Sequence, residues 1–449
     1  MATHDEKKEQ QWATEEQIED LEDHQTFDEI TALSGNEATA ASSAAWLISI
    51  TVSLGGFLFG YDTGYISSVL VGIGTSLGHE LSSSEQELVT SLTSGGALVG
   101  AVFAGLAADK HGRKWPVWGA CIVFVIGTVL QTAAYSVAMI VPVYIGELAP
   151  AKYRGRMIAF NNMSVTFGQL IASAIGAGLA EVPGKGWRGT VGIGAFPTIA
   201  LAIMLFWCPE SPRQLVAHGQ TDAAEAVLLR LYPTSTHEQR FAKIRAIETS
   251  IEEATSSLVP ESLWTVFKRI FNTPATARAV LTACLIMAIS QLGGFNTLMY
   301  YSATLFAIVG FKNATAVAIV VSGTNWIFSG VNLVLVDRFG RRILLIVSVA
   351  GMSICMMIAA IAFHYIPINL STLELETDDA GWAGIVVLVT IICYVGFYSS
   401  GVATIAWIGT ELIPLEVRAL GTMLNAVTCW STNIIIASTF LSMMKGITP

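Results

Sequence analysis

A single carboxylate lies inside the first long apolar segment of the chain. Asp62 is the only charged residue between Glu37 and Glu80. A carboxylate within a membrane span is costly and usually functional. Because burial favours the neutral form, such a group can take up and release a proton. We therefore predict that Asp62 is a proton-coupling residue; the alternative is an aspartate that caps or packs near an outer vestibule.

Amide side chains recur in the later apolar segments, together with one tryptophan. Each hydroxyl of a sugar or polyol both donates and accepts a hydrogen bond, and an amide offers both functions without charge. The face of an aromatic ring can pack on the C–H surface of such a molecule. The alternative for any one amide is a hydrogen bond between helices, which is common in membranes. The candidate substrate-binding residues are Gln169, Gln291, Asn296, Asn325, Trp407 and Asn433.

Two charged signatures each occur twice, in the same order. The first is D-x-x-G-R-[KR], beginning at Asp109 and Asp337, and the second is E-x6-R, beginning at Glu147 and Glu411. This repetition indicates a duplicated transporter. Ion pairs between its halves could hold one state closed and break in the other; the alternative is solvated loop charge that signals topology. The candidate gating residues are Asp109, Arg113, Glu147, Arg154, Asp337, Arg341, Glu411 and Arg418.

Two adjacent tyrosines, Tyr300 and Tyr301, follow the Gln291–Asn296 stretch. Aromatic side chains at this place could form an outer gate over a substrate. The alternative is a pair of aromatics at the membrane interface, where tyrosine is enriched.

The composition places these residues in a membrane protein. The chain has 449 residues, of which 53% are hydrophobic and 13% charged, and its mean hydropathy is +0.59. Soluble domains carry about 25% charged residues, so a soluble globule is excluded. The net charge of −10 belongs to residues 1–37, which hold 12 acidic and two basic residues. The neutral remainder has no basic face for nucleic acid, and no nucleophile–base pair, metal triad or phosphate loop indicates an enzyme.

Ten apolar segments are long enough to cross a bilayer, which takes about 20 helical residues. Their hydrophobicity is continuous rather than alternating, so we predict an all-α membrane protein and not a barrel. The polar insert 209–277 is predicted to be a helical cytoplasmic cap between an N-terminal half, 44–208, and a C-terminal half, 278–449. Residues 1–43 are predicted to be a disordered acidic cytoplasmic tail. The predicted spans are 44–66, 88–108, 115–137, 158–180, 190–208, 279–307, 314–336, 342–363, 382–410 and 419–443, and a short apolar run follows the third at 139–149.

Basic residues are unevenly distributed over the predicted loops. With the N-terminus inside, the cytoplasmic side holds 18 of the 22 basic residues outside the tail. Lys and Arg favour the cytoplasmic side of membrane proteins. We therefore expect a multi-pass protein with a cytoplasmic N-terminus, in the plasma membrane.

The repeat also shows an unequal spacing between its two halves. Asp337 and Glu411 are 74 residues apart, whereas Asp109 and Glu147 are only 38 residues apart. Both signatures are predicted on the cytoplasmic side, so an even number of spans must lie between the two members of each pair. Two spans need about 20 residues more than the 38 that separate Asp109 from Glu147. We expect about 20 residues to be missing near Ala138–Met139. In addition, two spans follow Arg154 but only one follows Arg418. We therefore expect part of the fourth helix and all of the twelfth helix to be absent.

The motifs together resemble the sugar porters of the major facilitator superfamily over about residues 44–443. The stretch GGFNTLMYYSATLF is most similar to fungal proton-coupled myo-inositol transporters. The resemblance implies two six-helix halves, a substrate site between them near the midplane, and alternating access. The motifs that carry it are GFLFGYDTG at 56–64, both D-x-x-G-R-[KR] loops, PVYIGELAP at 142–150 with Arg154-Gly155, PESPR at 209–213, QLGGFN at 291–296, Tyr300-Tyr301, and Trp407 with Glu411.

The resemblance also assigns the amides to particular helices. Gln169 matches the fifth-helix glutamine of the family, and Gln291 with Asn296 matches its seventh-helix motif; Asn325, Trp407 and Asn433 have similar spacing in the eighth, tenth and eleventh helices. The chain departs from the family at Ser290, where most members have a second glutamine. It also has no arginine between residues 113 and 154, where proton-coupled members carry one that pairs with the first-helix aspartate.

These observations predict a carrier of myo-inositol or a related sugar or polyol, acting by proton symport. Its partners are the small-molecule substrate and membrane lipid, without nucleic acid, and it needs no cofactor besides the proton as coupling ion. The alternatives are a facilitative hexose transporter, a non-transporting nutrient sensor, and an inactive truncated variant.

Overall fold

The computed structural model describes residues 43–111, 114–133, 154–180, 182, 184–256, 263–369, 374–375, 381–414 and 417–446. At some positions within these ranges the description covers the backbone alone. The predicted acidic tail lies outside the described residues, apart from Ser43, which begins the first helix.

Helices make up almost all of the described chain. The N-terminal half contains α1 Ser43–Ile73, α2 Ser83–His111, α3 Lys114–Thr132, α4 Arg154–Leu179, α5 Gly186–Ile193 and α6 Ala195–Trp207. The insert contains α7 Pro212–Ala217, α8 Thr221–Leu231 and α9 His237–Ser256. The helices that follow the insert begin before the predicted boundary at 278, and they are α10 Leu263–Asn272, α11 Pro274–Leu292, α12 Phe295–Ile308, α13 Ala314–Phe339, α14 Arg341–His364, α15 Gly381–Phe397, α16 Ala403–Ile408 and α17 Arg418–Gly446.

The apolar helices confirm the prediction of an all-α membrane protein, with one small addition. Strands β1, Ile368–Asn369, and β2, Glu374–Leu375, pair antiparallel between α14 and α15. Six helical segments of the described chain are long and apolar enough to cross a membrane. These segments are Gly186–Trp207, Pro274–Ile308, Ala314–Val336, Arg341–His364, Gly381–Trp407 and Leu420–Gly446.

Three segments that we predict as single spans are interrupted helices. The segment 190–208 divides at Gly194 into α5 and α6, and 279–307 divides at Gly293–Gly294 into α11 and α12. The segment 382–410 is α15, a π-helical turn at Tyr398–Val402, α16, and a 3-10 turn at Gly409–Leu412. Such discontinuous helices are common where transporters bind their substrates.

The insert and the membrane helices form separate compact units. In the insert, α7, α8 and α9 share a small apolar core that includes Val216, Leu228 and Ile244. The other unit contains residues 49–207 and 261–449. Apolar side chains of α12, α13 and α15, such as Phe306, Val321 and Val387, form the largest buried cluster of this unit.

Two antiparallel helix pairs join the halves of the membrane unit. Helix α4 packs along α13, where the hydroxyl oxygens of Ser173 and Ser322 are 2.8 Å apart. Helix α2 packs along α17, where the Ser94 hydroxyl donates to Asn433 Oδ1 at 3.1 Å. Small and polar residues at helix contacts are typical of membrane proteins, because they permit close approach and hydrogen bonds between helices.

Glycines at four-residue spacing let α1 approach α4 closely. Gly56, Gly60 and Gly64 all face α4, and a Cβ atom placed on Gly60 would collide with the carbonyl oxygen of Val165. Since that obstacle is backbone, a side chain at residue 60 can be accommodated only by moving the helices apart. These three glycines therefore set the distance between α1, which carries Asp62, and α4, which carries Gln169.

Replacing Gly60 with alanine should destabilise the membrane unit. Overpacking at a tight contact costs about 1–3 kcal/mol, and thermal unfolding of the detergent-purified protein should begin at a clearly lower temperature. Gly55→Ala is the matched control, because a Cβ atom there meets no atom within 4 Å. Equal melting temperatures for the two variants would show that α1 and α4 are not held at this distance.

Candidate functional site

Gln291 is the centre of a first group of buried polar side chains, which we call the Gln291 cluster. Its Oε1 atom accepts hydrogen bonds from Asn296 Nδ2 at 2.7 Å and from Asn433 Nδ2 at 3.3 Å. Asn433 Oδ1 in turn accepts from the Ser94 hydroxyl at 3.1 Å. Gln291, Asn433 and Ser94 are buried. The cluster therefore joins α11, α12 and α17 of the C-terminal half to α2 of the N-terminal half.

The break between α11 and α12 explains how Asn296 reaches Gln291. Gly294 has a φ angle of +84°, in the left-handed region that favours glycine. This conformation ends α11 and starts α12 at Phe295. Residues five apart do not share a face in a continuous helix, so the interruption is what brings the two amides together.

A second group of polar side chains, the Gln169 chain, crosses between the halves at another place. Gln169 Nε2 donates to Thr63 Oγ1 at 3.1 Å, and Gln169 Oε1 accepts from Asn325 Nδ2 at 2.7 Å. Asn325 Oδ1 accepts from the Ser399 hydroxyl at 2.7 Å. All four side chains are buried. The chain runs from α1 through α4 and α13 to the π-helical turn.

Trp407 lies beside the Gln291 cluster. This half-buried side chain packs on a buried group that contains Met287, Ala406 and Cys429. Met287 also contacts the cluster directly, since its sulfur is 3.9 Å from Gln291 Nε2. The group on which Trp407 packs therefore includes a residue, Met287, that contacts Gln291.

Asp62 is buried next to the Gln169 chain, with 3% of its surface exposed. The Tyr65 hydroxyl donates to Asp62 Oδ1 at 2.7 Å and also lies 3.1 Å from Gln131 Oε1. The following residue, Thr63, accepts from Gln169. Among the described side chains no cation forms an ion pair with Asp62.

The two tyrosines have different surroundings. The Tyr301 hydroxyl is 2.7 Å from Thr90 Oγ1 and donates to the Ala437 carbonyl at 3.3 Å, so it joins α12 to α2 and α17. The Tyr300 hydroxyl lies beside Ser94 and Asn433. Tyr301 thus occupies a contact between the halves, whereas Tyr300 borders the Gln291 cluster.

The candidate gating charges are mostly beyond what the structure describes. Arg113 and Glu147 lie outside the described residues, and the Arg341 side chain is exposed at the start of α14. The ion-pair network between the halves therefore stays a prediction. For the remaining members only the backbone is described: Asp109, Arg154, Asp337, Glu411 and Arg418.

Several polar residues of the site were missed from the sequence. Thr63, Ser94 and Ser399 each bond to a predicted amide, and Tyr65 bonds to Asp62. Serine and threonine are frequent in membrane helices and often bond only to their own backbone, so their composition gave no signal. The signal that did exist was spacing: Thr63 adjoins Asp62, and Tyr65 follows it by three residues, on the same helical face.

The helical halves, their interrupted spans and the buried polar contacts between them define the protein as a multi-pass membrane transporter of the major facilitator fold. The family model described as "Sugar (and other) transporter" matches residues 48–140 and 136–449. The chain belongs to this sugar transporter family. The two matched segments meet at 136–140, beside the position near Ala138–Met139 where we predict missing residues, and that prediction lies outside the described residues.

Curated relatives include fungal transporters. The chain is 39% identical to Myo-inositol transporter 1 of Saccharomyces cerevisiae, covering 91% of this chain and 74% of that protein. It is 38% identical to Myo-inositol transporter 1 of Candida albicans, covering 96% of this chain and 81% of that protein. These relatives are membrane transporters, which confirms the prediction that the chain is not an enzyme.

Among solved structures, the fold is similar to the xylose transporter XylE of E. coli in a partially occluded inward open conformation. The TM-score is 0.72 at 22% identity, covering 90% of this chain and 92% of that chain. XylE bound to 6-bromo-6-deoxy-D-glucose is similar with a TM-score of 0.70, also at 22% identity, and covers 89% of this chain and 88% of that chain. The prediction of the major facilitator fold is confirmed.

Proposed function

We propose that the chain carries myo-inositol or a closely related uncharged polyol across the plasma membrane, by proton symport and alternating access. The observation that carries this proposal is the pair of buried polar groups, the Gln291 cluster and the Gln169 chain. Both consist of neutral amides and hydroxyls, and both span the two halves. A ligand with many hydroxyls and no charge matches such a surface.

A hydroxyl of a polyol could replace a side chain in the hydrogen bonds within these two groups. Gln291 and Gln169 now bond to amides or hydroxyls of other helices. A ring hydroxyl both donates and accepts, so it can take the place of one amide without leaving its partner unpaired. Unpaired buried polar groups are costly, and this exchange avoids that cost. Trp407 offers an aromatic face beside the Gln291 cluster for the C–H surface of the ring.

The position of the polar groups between the halves supports alternating access. A ligand held by Asn433 or Asn325 would also lie against residues of α2 or α4, because Ser94 of α2 already bonds to Asn433 and Gln169 of α4 to Asn325. Its binding would therefore favour a state in which the halves are close. The uneven distribution of basic residues supports a cytoplasmic N-terminus.

Asp62 supports proton coupling, since it is a buried carboxylate adjacent to a member of the Gln169 chain. A change of its charge can thus act on Thr63, the next residue of α1, and through it on Gln169. Facilitated transport without protons is the second candidate. It is favoured by the lack of a cation paired with Asp62 among the described side chains.

The substrate is tested by uptake in cells that lack their own inositol carrier. We expect saturable uptake of labelled myo-inositol that excess unlabelled myo-inositol suppresses and an equal excess of glucose suppresses far less. The reason is that the chain's curated relatives are named as myo-inositol transporters. Equal uptake of glucose and myo-inositol would instead indicate a hexose transporter. Protein that reaches the cell surface and takes up neither would indicate a sensor or an inactive variant.

A further inference from the structure

Glu87 is a buried carboxylate that the proposed function leaves without a role. It lies near the start of α2 and has 6% of its surface exposed. Each of its carboxylate oxygens accepts one hydrogen bond from the same residue of α17. The Ser442 backbone N–H donates to Oε1 at 2.7 Å, and the Ser442 hydroxyl donates to Oε2 at 2.9 Å.

The Glu87–Ser442 contact belongs to a seam that joins the two halves at one end of the helices. Thr90, one turn further along α2, bonds to Tyr301 of α12 at 2.7 Å. Ser67 of α1 accepts from the Ala303 backbone N–H at 2.8 Å. We call these contacts the closing seam. It lies at the end of α2 opposite to Asp109, near the last turns of α1, α12 and α17.

Glu87 differs from the other members of the closing seam in having a carboxyl group, since the others contribute hydroxyls and backbone groups. Hydrogen bonds to a carboxylate are shorter and stronger than those between neutral groups. A buried carboxylate without partners is costly, so the closed arrangement depends on Ser442 to satisfy Glu87. When the halves separate at this end, the carboxylate becomes accessible to water and no longer needs Ser442. A contact of this kind would stabilise the closed state and would be lost when the halves separate at this end.

We propose that Glu87 is a positioning residue that holds α2 against α17 and stabilises the state closed at this end of the transporter. The proposal rests on the proposed function in one respect, namely that the halves separate and close during transport. It concerns the balance between states and not the binding of substrate. It therefore makes a prediction that can be measured in the absence of any substrate.

Glu85 provides a matched control two residues earlier on the same helix. Its carboxylate bonds to His79, and to the backbone N–H and hydroxyl of Ser82. These partners precede it in the same half and form a local cap at the start of α2. Neutralising Glu85 removes the same charge at the same end of the helix without touching α17.

The test uses a cysteine at residue 437 as a reporter of opening. Ala437 has 0% of its surface exposed, and its carbonyl accepts from Tyr301 in the closing seam. The rate of reaction of Ala437→Cys with a membrane-impermeant thiol reagent is measured in intact cells and in inside-out vesicles. The chain with its six native cysteines alone supplies the background rate.

In the reporter background, Glu87→Ala should raise the labelling rate by more than about tenfold, because it removes both hydrogen bonds to the carboxylate and loss of one bond to a charged group alone accounts for about tenfold. Glu87→Gln and Ser442→Ala should each raise it less, since each leaves one of the two bonds in place. Glu85→Gln should leave it unchanged. The rise should occur from one face of the membrane only, because the seam closes one end.

An unchanged rate in both Glu87 variants overturns the proposal, and so does an equal rise from both faces, which indicates loosened structure throughout. The rate is expressed per folded molecule, so a purely structural effect on yield does not alter it. Failure of the parent chain to take up myo-inositol would contradict the proposed function and leave the labelling result valid. The two failures are therefore distinguishable.

Discussion

Cells that carry Gln291→Ala should take up labelled myo-inositol about 5- to 150-fold more slowly than cells with the parent chain, the factor expected for loss of about 1–3 kcal/mol of hydrogen bonding. Gln291 Oε1 is the common acceptor for Asn296 and Asn433. Truncation removes a proposed substrate contact and leaves two amide donors, the buried Asn433 and the half-buried Asn296, without their acceptor. Among the predicted site residues whose side chains the structure describes, no other accepts hydrogen bonds from two amides of its own half.

The site and the fold can be separated by a second set of variants. Gln291→Asn keeps the amide but shortens it, and should retain part of the uptake. Thr282→Val is the control on the same helix, because Thr282 is exposed and bonds only to the Arg278 carbonyl of α11. We expect its uptake to equal that of the parent chain at equal surface amounts. Parental uptake by Gln291→Ala would remove the Gln291 cluster from the substrate site.

The membrane helices could be predicted from the sequence where a continuous apolar run corresponds to one uninterrupted helix. The segments 314–336 and 342–363 match α13 and α14 within a few residues. The interruptions at Gly293–Gly294 and at Tyr398–Val402 were not predicted, because the apolar run continues through them. Hydropathy measures burial in lipid and does not report the backbone angles that a glycine makes possible.

The site could be predicted only as a set of separate residues. Gln169, Gln291, Asn325 and Asn433 are predicted because neutral amides suit an uncharged polyol and because they match the family's motifs and spacing; their role in binding stays a prediction. Their division into two groups depends on which helices of opposite halves are neighbours, a property of tertiary packing that spacing along one helix does not contain. The hydroxyl partners were missed for the same reason, since Ser94 and Ser399 acquire their role only from residues more than 70 positions away.

The environment of Asp62 bears on whether this residue can gain and lose a proton. Its burial and its position beside Thr63 favour a proton site, and its hydrogen-bond partner is a neutral phenol. Tyr65 donates to the carboxylate and is itself close to Gln131. A phenol can stabilise the carboxylate and still allow it to become protonated, since it adds no fixed positive charge. The described environment is therefore compatible with a group that gains and loses a proton during the transport cycle.

Asp62→Asn should abolish the acceleration of myo-inositol uptake by external acid. The amide has nearly the shape of the carboxyl group but cannot take up a proton, so substrate movement would no longer be linked to the proton gradient. With one proton per substrate, a gradient of one pH unit supports about tenfold accumulation. The variant should equilibrate its substrate without accumulating it. The measurement is steady-state accumulation of labelled myo-inositol against external pH, with and without a protonophore.

Tyr65→Phe is the variant that tests whether the carboxylate itself is responsible. It removes the hydroxyl that donates to Asp62 and leaves the carboxyl group in place, so it should keep acid-stimulated accumulation. If Asp62→Asn accumulated myo-inositol as the parent does, Asp62 would have only a packing role. If neither the parent nor Tyr65→Phe responded to acid while both equilibrated the substrate, the protein would be a facilitative carrier. In that case the buried Asp62 would help to hold α1 beside α3 through Tyr65 and Gln131, and the Gln291 cluster would keep its role in binding.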